Sequence, residues 1–152
     1  AQALKVVTLH ARAAGWADRA FGRKWADPAR DPAAAMDNRF AIEDTLDKAA
    51  TARAKTSDAN HFLYLVKANQ LFSAGHAGSL ADGLKAVKAR TLLIPAASDL
   101  VLPPRMAEQA AAILKGNGVP VETVTIEGDG GHLDGVLAIA KAGPAIQAFL
   151  AK

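Results

Sequence analysis

The sequence contains no cysteine, which excludes disulfide bonds and a thiol nucleophile. Nowhere do apolar residues run on for the roughly 18 positions that a membrane-spanning helix needs. Neither sign of charge dominates: 18 basic residues are interspersed with 15 acidic ones, for a net charge of +3. That balance offers no electrostatic case for binding nucleic acid or an anionic membrane. Aromatic residues are scarce. Trp16, Trp25, Phe62, Tyr64 and Phe72 read first as packing residues, with Tyr64 also a candidate for contacting substrate. Residues 1–10 lack a signal-peptide pattern, so a cytoplasmic location is expected. Most telling, no Gly-x-Ser-x-Gly elbow occurs, and none of Ser57, Ser73, Ser79 or Ser98 has the flanking glycines that such a nucleophile needs.

What is present is enough for one domain with a core: 152 residues, half of them hydrophobic, in an alanine-rich and helix-favouring composition. The pattern changes near Gly75 to Gly83, which divides the chain into residues 1–82 and 83–152. The first part reads as helical. Lys5 to Ala14 is one candidate, stopped at Gly15, and Trp16 to Trp25 is a second, ended by Asp27-Pro28. Ala33 to Ala54 reads as a long helix with Met36, Phe40 and Leu46 on one face. Ser57-Asp58 is a plausible cap for a helix from Ala59 to Phe72, where Phe62, Leu65, Val66 and Asn69 follow helical spacing.

The second part alternates. Thr91 to Ala96 is a short apolar run of the kind buried on both faces of a parallel sheet. Pro103-Pro104 opens a helix over Arg105 to Lys115, which Gly116 and Gly118 close. Val121 to Ile126 alternates β-branched residues as a strand does, and a last helix is expected from Asp134 to Ala151, interrupted at Pro144. Strand, helix, strand, helix implies an α/β fold with parallel neighbours and a right-handed crossover. Two strands do not make an independently stable parallel sheet. They are therefore expected to complete a sheet whose other strands lie on polypeptide outside these residues.

In open α/β sheets, the loops after the carboxyl ends of strands hold the chemistry. Asp99 follows the first strand and His132 follows the second, in Gly128-Asp129-Gly130-Gly131-His132. Their separation of 33 positions accommodates one crossover helix and one strand. Aspartate before histidine, each in such a loop, is the back half of a nucleophile–histidine–acid triad. His132 would take and return a proton, and Asp99 would orient and stabilise the imidazolium. The plainer alternatives are a surface histidine and a turn-capping aspartate near Pro103. Asp129 and Asp134 flank His132, and either is an alternative orienting partner or a substrate contact; Asp134 is also a candidate helix cap. The glycine-rich loop lacks the Gly-Lys-Ser/Thr ending of a phosphate-binding loop. His10, His61 and His76 show no metal-ligand spacing, so no metal is expected.

Three segments resemble the C-terminal portion of the homoserine O-acetyltransferase family, within the α/β-hydrolase superfamily. They are Asp58-Ala59-Asn60-His61-Phe62-Leu63-Tyr64-Leu65, then Thr91 to Asp99, then Ile126 to Gly135. The resemblance implies an α/β-hydrolase fold. Residues 1–82 would be the helical lid, and the rest would be the last strands and helices of a sheet completed by another segment. It matches Asp99 and His132 to the triad acid and base, and puts the nucleophilic serine on polypeptide upstream of Ala1. It implies acyl transfer from acyl-CoA to a hydroxyl through an acyl-serine, no bound cofactor, a small-molecule substrate, and a homodimer formed through the lid helices. Asp134 and Tyr64 are the substrate-contact candidates.

The pattern also departs from the family. There an aspartate usually follows the catalytic histidine directly, whereas here Leu133 follows and Asp134 comes one later. Lys67-Ala68-Asn69-Gln70 stands where the lid helix usually has an acidic residue, and Thr56-Ser57 stands where an arginine is frequent. A neutral lid suits a less polar acceptor or simple hydrolysis, so an esterase using water is the alternative. A non-catalytic fragment that dimerises through its helices is the alternative from a different class.

Overall fold

The computed structural model describes residues 1–152. Five helices come first: α1 (Gln2–His10), α2 (Ala14–Ala20), α3 (Ala41–Thr56), α4 (Ala59–Leu71) and α5 (Leu80–Leu84). Then follow β1 (Thr91–Leu93), α6 (Pro104–Gly116), β2 (Val121–Thr123), α7 (Asp134–Leu137) and α8 (Gly143–Leu150). No single helix is long and apolar enough to cross a membrane.

The two strands pair in parallel, with Thr91 opposite Val121 and Leu93 opposite Thr123. Pro95 has no N–H to donate, so the regular ladder stops before it. Pairing then resumes in looser form. Ile126 N–H donates to the Pro95 carbonyl at 2.8 Å and Ala97 N–H to the Ile126 carbonyl at 3.0 Å. The two chains thus stay side by side up to Ala96 and Ile126, both buried. α6 covers one side of the pair through buried Ala111 and Leu114. Thr91, Leu92 and Leu93 are only half-buried, not enclosed on both faces as expected, because two strands leave much of their surface open. Only 12 of the 152 residues are buried, so the apolar faces here are not closed over one another.

In the helical half, α1 lies against α3, whose inward stripe is Leu46 and Ala50, one turn apart. Lys5 and Arg39 both pair with Asp47 at this contact. Several boundaries differ from the expected ones. α1 ends at His10 and α2 at Ala20, followed by Gly22 at φ +54°. The helix expected from Ala33 begins at Ala41 instead. Side chains win the competition for the backbone here. Asp27 and Asp31 accept the N–H groups of Ala29 and Ala33, and Asn38 donates to the Asp31 carbonyl at 2.7 Å. Met36 is consequently fully exposed rather than on an apolar face. The last helix also breaks up, into α7, a 3-10 turn over Ile139–Ala142, and α8. Pro144 sits in the first turn of α8, where its missing N–H costs nothing.

Candidate active site

The end of β1 and the end of β2 deliver Asp99 and His132 to the same place. Past Ala96 the chain turns, with Asp99 N–H donating to the Ala96 carbonyl at 3.2 Å. Asp99 Oδ1 then accepts the N–H groups of Val101 and Leu102, at 2.8 and 2.9 Å. Those bonds hold the carboxylate rigidly before Pro103 and Pro104 start α6. The other oxygen, Oδ2, lies 2.9 Å from Nδ1 of His132.

Asp99 is buried, and burial is the largest single influence on its ionisation, opposing it. The hydrogen bonds from Leu102, His132 and Val101, with the charge of His132, together outweigh burial and hold the carboxyl below its usual value. An ionised carboxylate only accepts, so the proton of the His132–Asp99 bond sits on Nδ1. In the neutral ring that leaves Nε2 with its lone pair, the form a general base needs. The His132 side chain keeps 37% of its surface open to solvent.

The loop carrying His132 is held on three sides. Gly131 is at φ +73°, and its N–H donates to Ser98 Oγ at 3.1 Å, tying the two site loops together. A side chain at Gly131 would run into the backbone of Arg12 and Ala13. Gly130 N–H donates to Asp134 Oδ2 at 2.8 Å. Asp129 pairs with Arg19 of α2 and packs against Gly15. Glycine is required at 131 both by the left-handed backbone and by the close approach of the helical half.

The structure thus joins Asp99 and His132, and takes Asp129 and Asp134 out of contention as the histidine's partner. Asp134 Oδ2 is engaged with the loop backbone at Gly130. Tyr64 is 78% exposed on α4 and lines neither cleft beside His132. Sequence reasoning did not single out Ser98 for its tie to Gly131, nor Arg12, Ala13 and Arg19 for their grip on the loop. These are contacts between residues distant in sequence, and composition carries no sign of them.

His132 opens into two clefts. One, of about 480 Å³, lies beside the sheet and is lined by Leu93, Ile94, Leu102, Met106 and Val136. The other, of about 460 Å³, lies between α1, the end of α3 and the His132 loop.

No protein-family model matches the chain. The homoserine O-acetyltransferase of Methanosalsum zhilinae is 37% identical over 93 residues, 61% of this chain and 19% of that protein. The homoserine O-acetyltransferase of Acidiphilium cryptum is 31% identical over 116 residues, 75% of this chain and 30% of that protein. Among solved structures, esterase E22 superposes with a TM-score of 0.83 at 38% identity, covering 97% of this chain and 40% of the esterase. The homoserine O-acetyltransferase from Bacillus anthracis superposes at 0.85 with 25% identity, covering 99% of this chain and 40% of that one.

The chain has the α/β-hydrolase fold, in the portion made of the helical insertion and the last strands and helices of the parallel sheet. Within that superfamily it resembles homoserine O-acetyltransferases and esterase E22. The matched segments are between a fifth and a third of the length of these curated relatives, and two fifths of the solved chains.

Proposed function

We propose that this chain supplies the base and its orienting acid for serine-dependent acyl transfer from acyl-CoA to a hydroxyl. The observation that carries the proposal is the Asp99–His132 pair, set at 2.9 Å on neighbouring loops at the carboxyl ends of parallel strands. The serine, and the backbone N–H groups that would stabilise the oxyanion, belong to polypeptide outside these 152 residues. His132 Nε2 takes the serine proton as Oγ attacks the thioester, then gives it to the departing thiolate. In the second half it takes the proton of the acceptor hydroxyl as that oxygen attacks the acyl-serine, and returns it to the serine. Asp99 holds the ring and stabilises its charged form in both halves.

A second reading, hydrolysis with water as the acceptor, is favoured by two observations. Esterase E22 is more similar in sequence than the solved acetyltransferase. Leu133, not an aspartate, follows His132. The two readings separate kinetically. A transferase turns over acetyl-CoA only with a hydroxyl acceptor, in ping-pong fashion; an esterase hydrolyses activated acetyl esters at a rate that homoserine does not change.

We further propose that α4 packs against a second copy. It buries none of its residues and exposes Phe62, Leu63, Leu65 and Leu71. Apolar side chains exposed around the whole of a helix form a surface patch characteristic of an interface.

A further inference from the structure

The pairing of the two strands does not end with the backbone. Ala96 lies opposite Ile126, and Ala97 N–H donates to the Ile126 carbonyl at 3.0 Å. Residues 127–130 then loop out, and the next two residues of each chain meet again through side chains. Ser98 Oγ accepts the Gly131 N–H at 3.1 Å, and Asp99 Oδ2 lies 2.9 Å from His132 Nδ1. Adjacent residues thus hold adjacent residues, and the two contacts are not equivalent. A single hydrogen bond at Nδ1 leaves the ring free to swing about it, carrying Nε2 along. A second bond, to the backbone just before His132, removes that freedom. Gly131 is buried, and Ser98 Oγ is the acceptor of its N–H. The other ties to the loop fall elsewhere: Asp134 holds the Gly130 N–H, and Arg19 holds Asp129. Neither of them connects the loop to the segment that carries Asp99.

We infer that Ser98 is a positioning residue for His132: with Asp99 it forms a two-point clamp that fixes where Nε2 points. The inference rests on the functional reading above for the part that His132 plays in turnover. Ser98 acts through the loop backbone and carries no proton in the reaction. Deleting its hydroxyl leaves Asp99 in place, because the Val101 and Leu102 N–H groups hold that carboxylate independently. The buried Gly131 N–H, by contrast, loses its acceptor, which favours a shift of the loop. A general base displaced by about 1 Å can lose about a hundredfold in rate.

The test uses the protein assembled with its serine-bearing segment and compares wild type, Ser98→Ala and Ser98→Thr, which keeps the hydroxyl. Thermal melts set a temperature at which all three are folded. Should Ser98→Ala not fold, Ser98→Cys, of similar size but a weak acceptor, takes its place. With an activated acetyl ester, Ser98→Ala should lower kcat by about tenfold to a hundredfold and change KM by less than about twofold. Ser98→Thr should stay within about threefold of wild type, since its hydroxyl can still accept the Gly131 N–H. The proton NMR signal of His132 Nδ1–H, identified by its loss in His132→Gln, gives a second readout. It should be sharp in wild type and Ser98→Thr, and broadened or absent in Ser98→Ala as the loosened ring exchanges with water. Unchanged kcat in Ser98→Ala, a loss shared equally by Ser98→Thr, or a signal that Ser98→Ala leaves unaltered overturns the inference. Turnover insensitive to His132→Ala would overturn the acyl-transfer reading alone, and the signal, which needs no turnover, would then decide the inference.

Discussion

Asp99 uses its two oxygens for different purposes: Oδ1 fixes the turn through Val101 and Leu102, and Oδ2 fixes the tautomer of His132. Replacing it with asparagine keeps the shape: the carbonyl takes the place of Oδ1 in accepting the Val101 and Leu102 N–H groups, which presents the amide donor to Nδ1. The proton then moves to Nε2, the atom that must be free. Asp99→Asn should lower kcat by about 10⁴-fold, measured with an activated acetyl ester, with little effect on KM. The same group gives a pH dependence of stability. Its folded-state ionisation lies below the unfolded value, so the folded state binds fewer protons. Its contribution is complete above about pH 4 and is lost as the pH falls through the depressed value. Urea titrations at a series of acid pH values should show that loss in the wild type, and Asp99→Asn should flatten it.

At the level of elements, the His132 loop is set by tertiary approach. Gly131 combines a left-handed backbone with contact to Arg12 and Ala13. Gly131→Ala should destabilise by at least about 1–2 kcal/mol and lower turnover together, read by chemical denaturation and ester hydrolysis. α4 makes the opposite prediction. Leu63→Glu should leave the fold intact but shift the protein from dimer to monomer in light scattering; an unchanged mass would remove α4 from the interface.

Local chemistry explains which elements were legible. Asp58 was readable as a cap because its carboxylate accepts the His61 N–H, 2.6 Å away. Pro103-Pro104 and Gly116 marked both ends of α6. The start of α3 was not readable, because residues 27–39 form turns held by Arg30, Asp31 and Asn38, whose partners lie up to eight positions away. The strands were readable in place and direction, but their formal length depends on Pro95. The Asp99–His132 pairing was readable because two strand ends of a parallel pair bring their following loops together. The clasp made by Ser98 and Asp134 was not, since Ser98 read only as a serine without elbow glycines and Asp134 as a helix cap, an orienting partner or a substrate contact.

Over the whole molecule, the balance between buried and exposed apolar surface is the governing fact. Leu100, Leu102, Met106, Val136 and Leu137 are each 46–72% exposed around a pair of strands too small to form a closed core. The solved relatives are two and a half times the length of the matched region, with the same arrangement inside them. On this account the chemistry is divided, with acid and base here and the nucleophile elsewhere. Mass spectrometry of the enzyme quenched during turnover of an activated acetyl ester tests that division most directly. The account predicts an acetyl group on a serine in a Gly-x-Ser-x-Gly segment outside these residues, present in wild type and lost in His132→Ala. An acetyl group that never appears on serine, or that accumulates equally without His132, would contradict it.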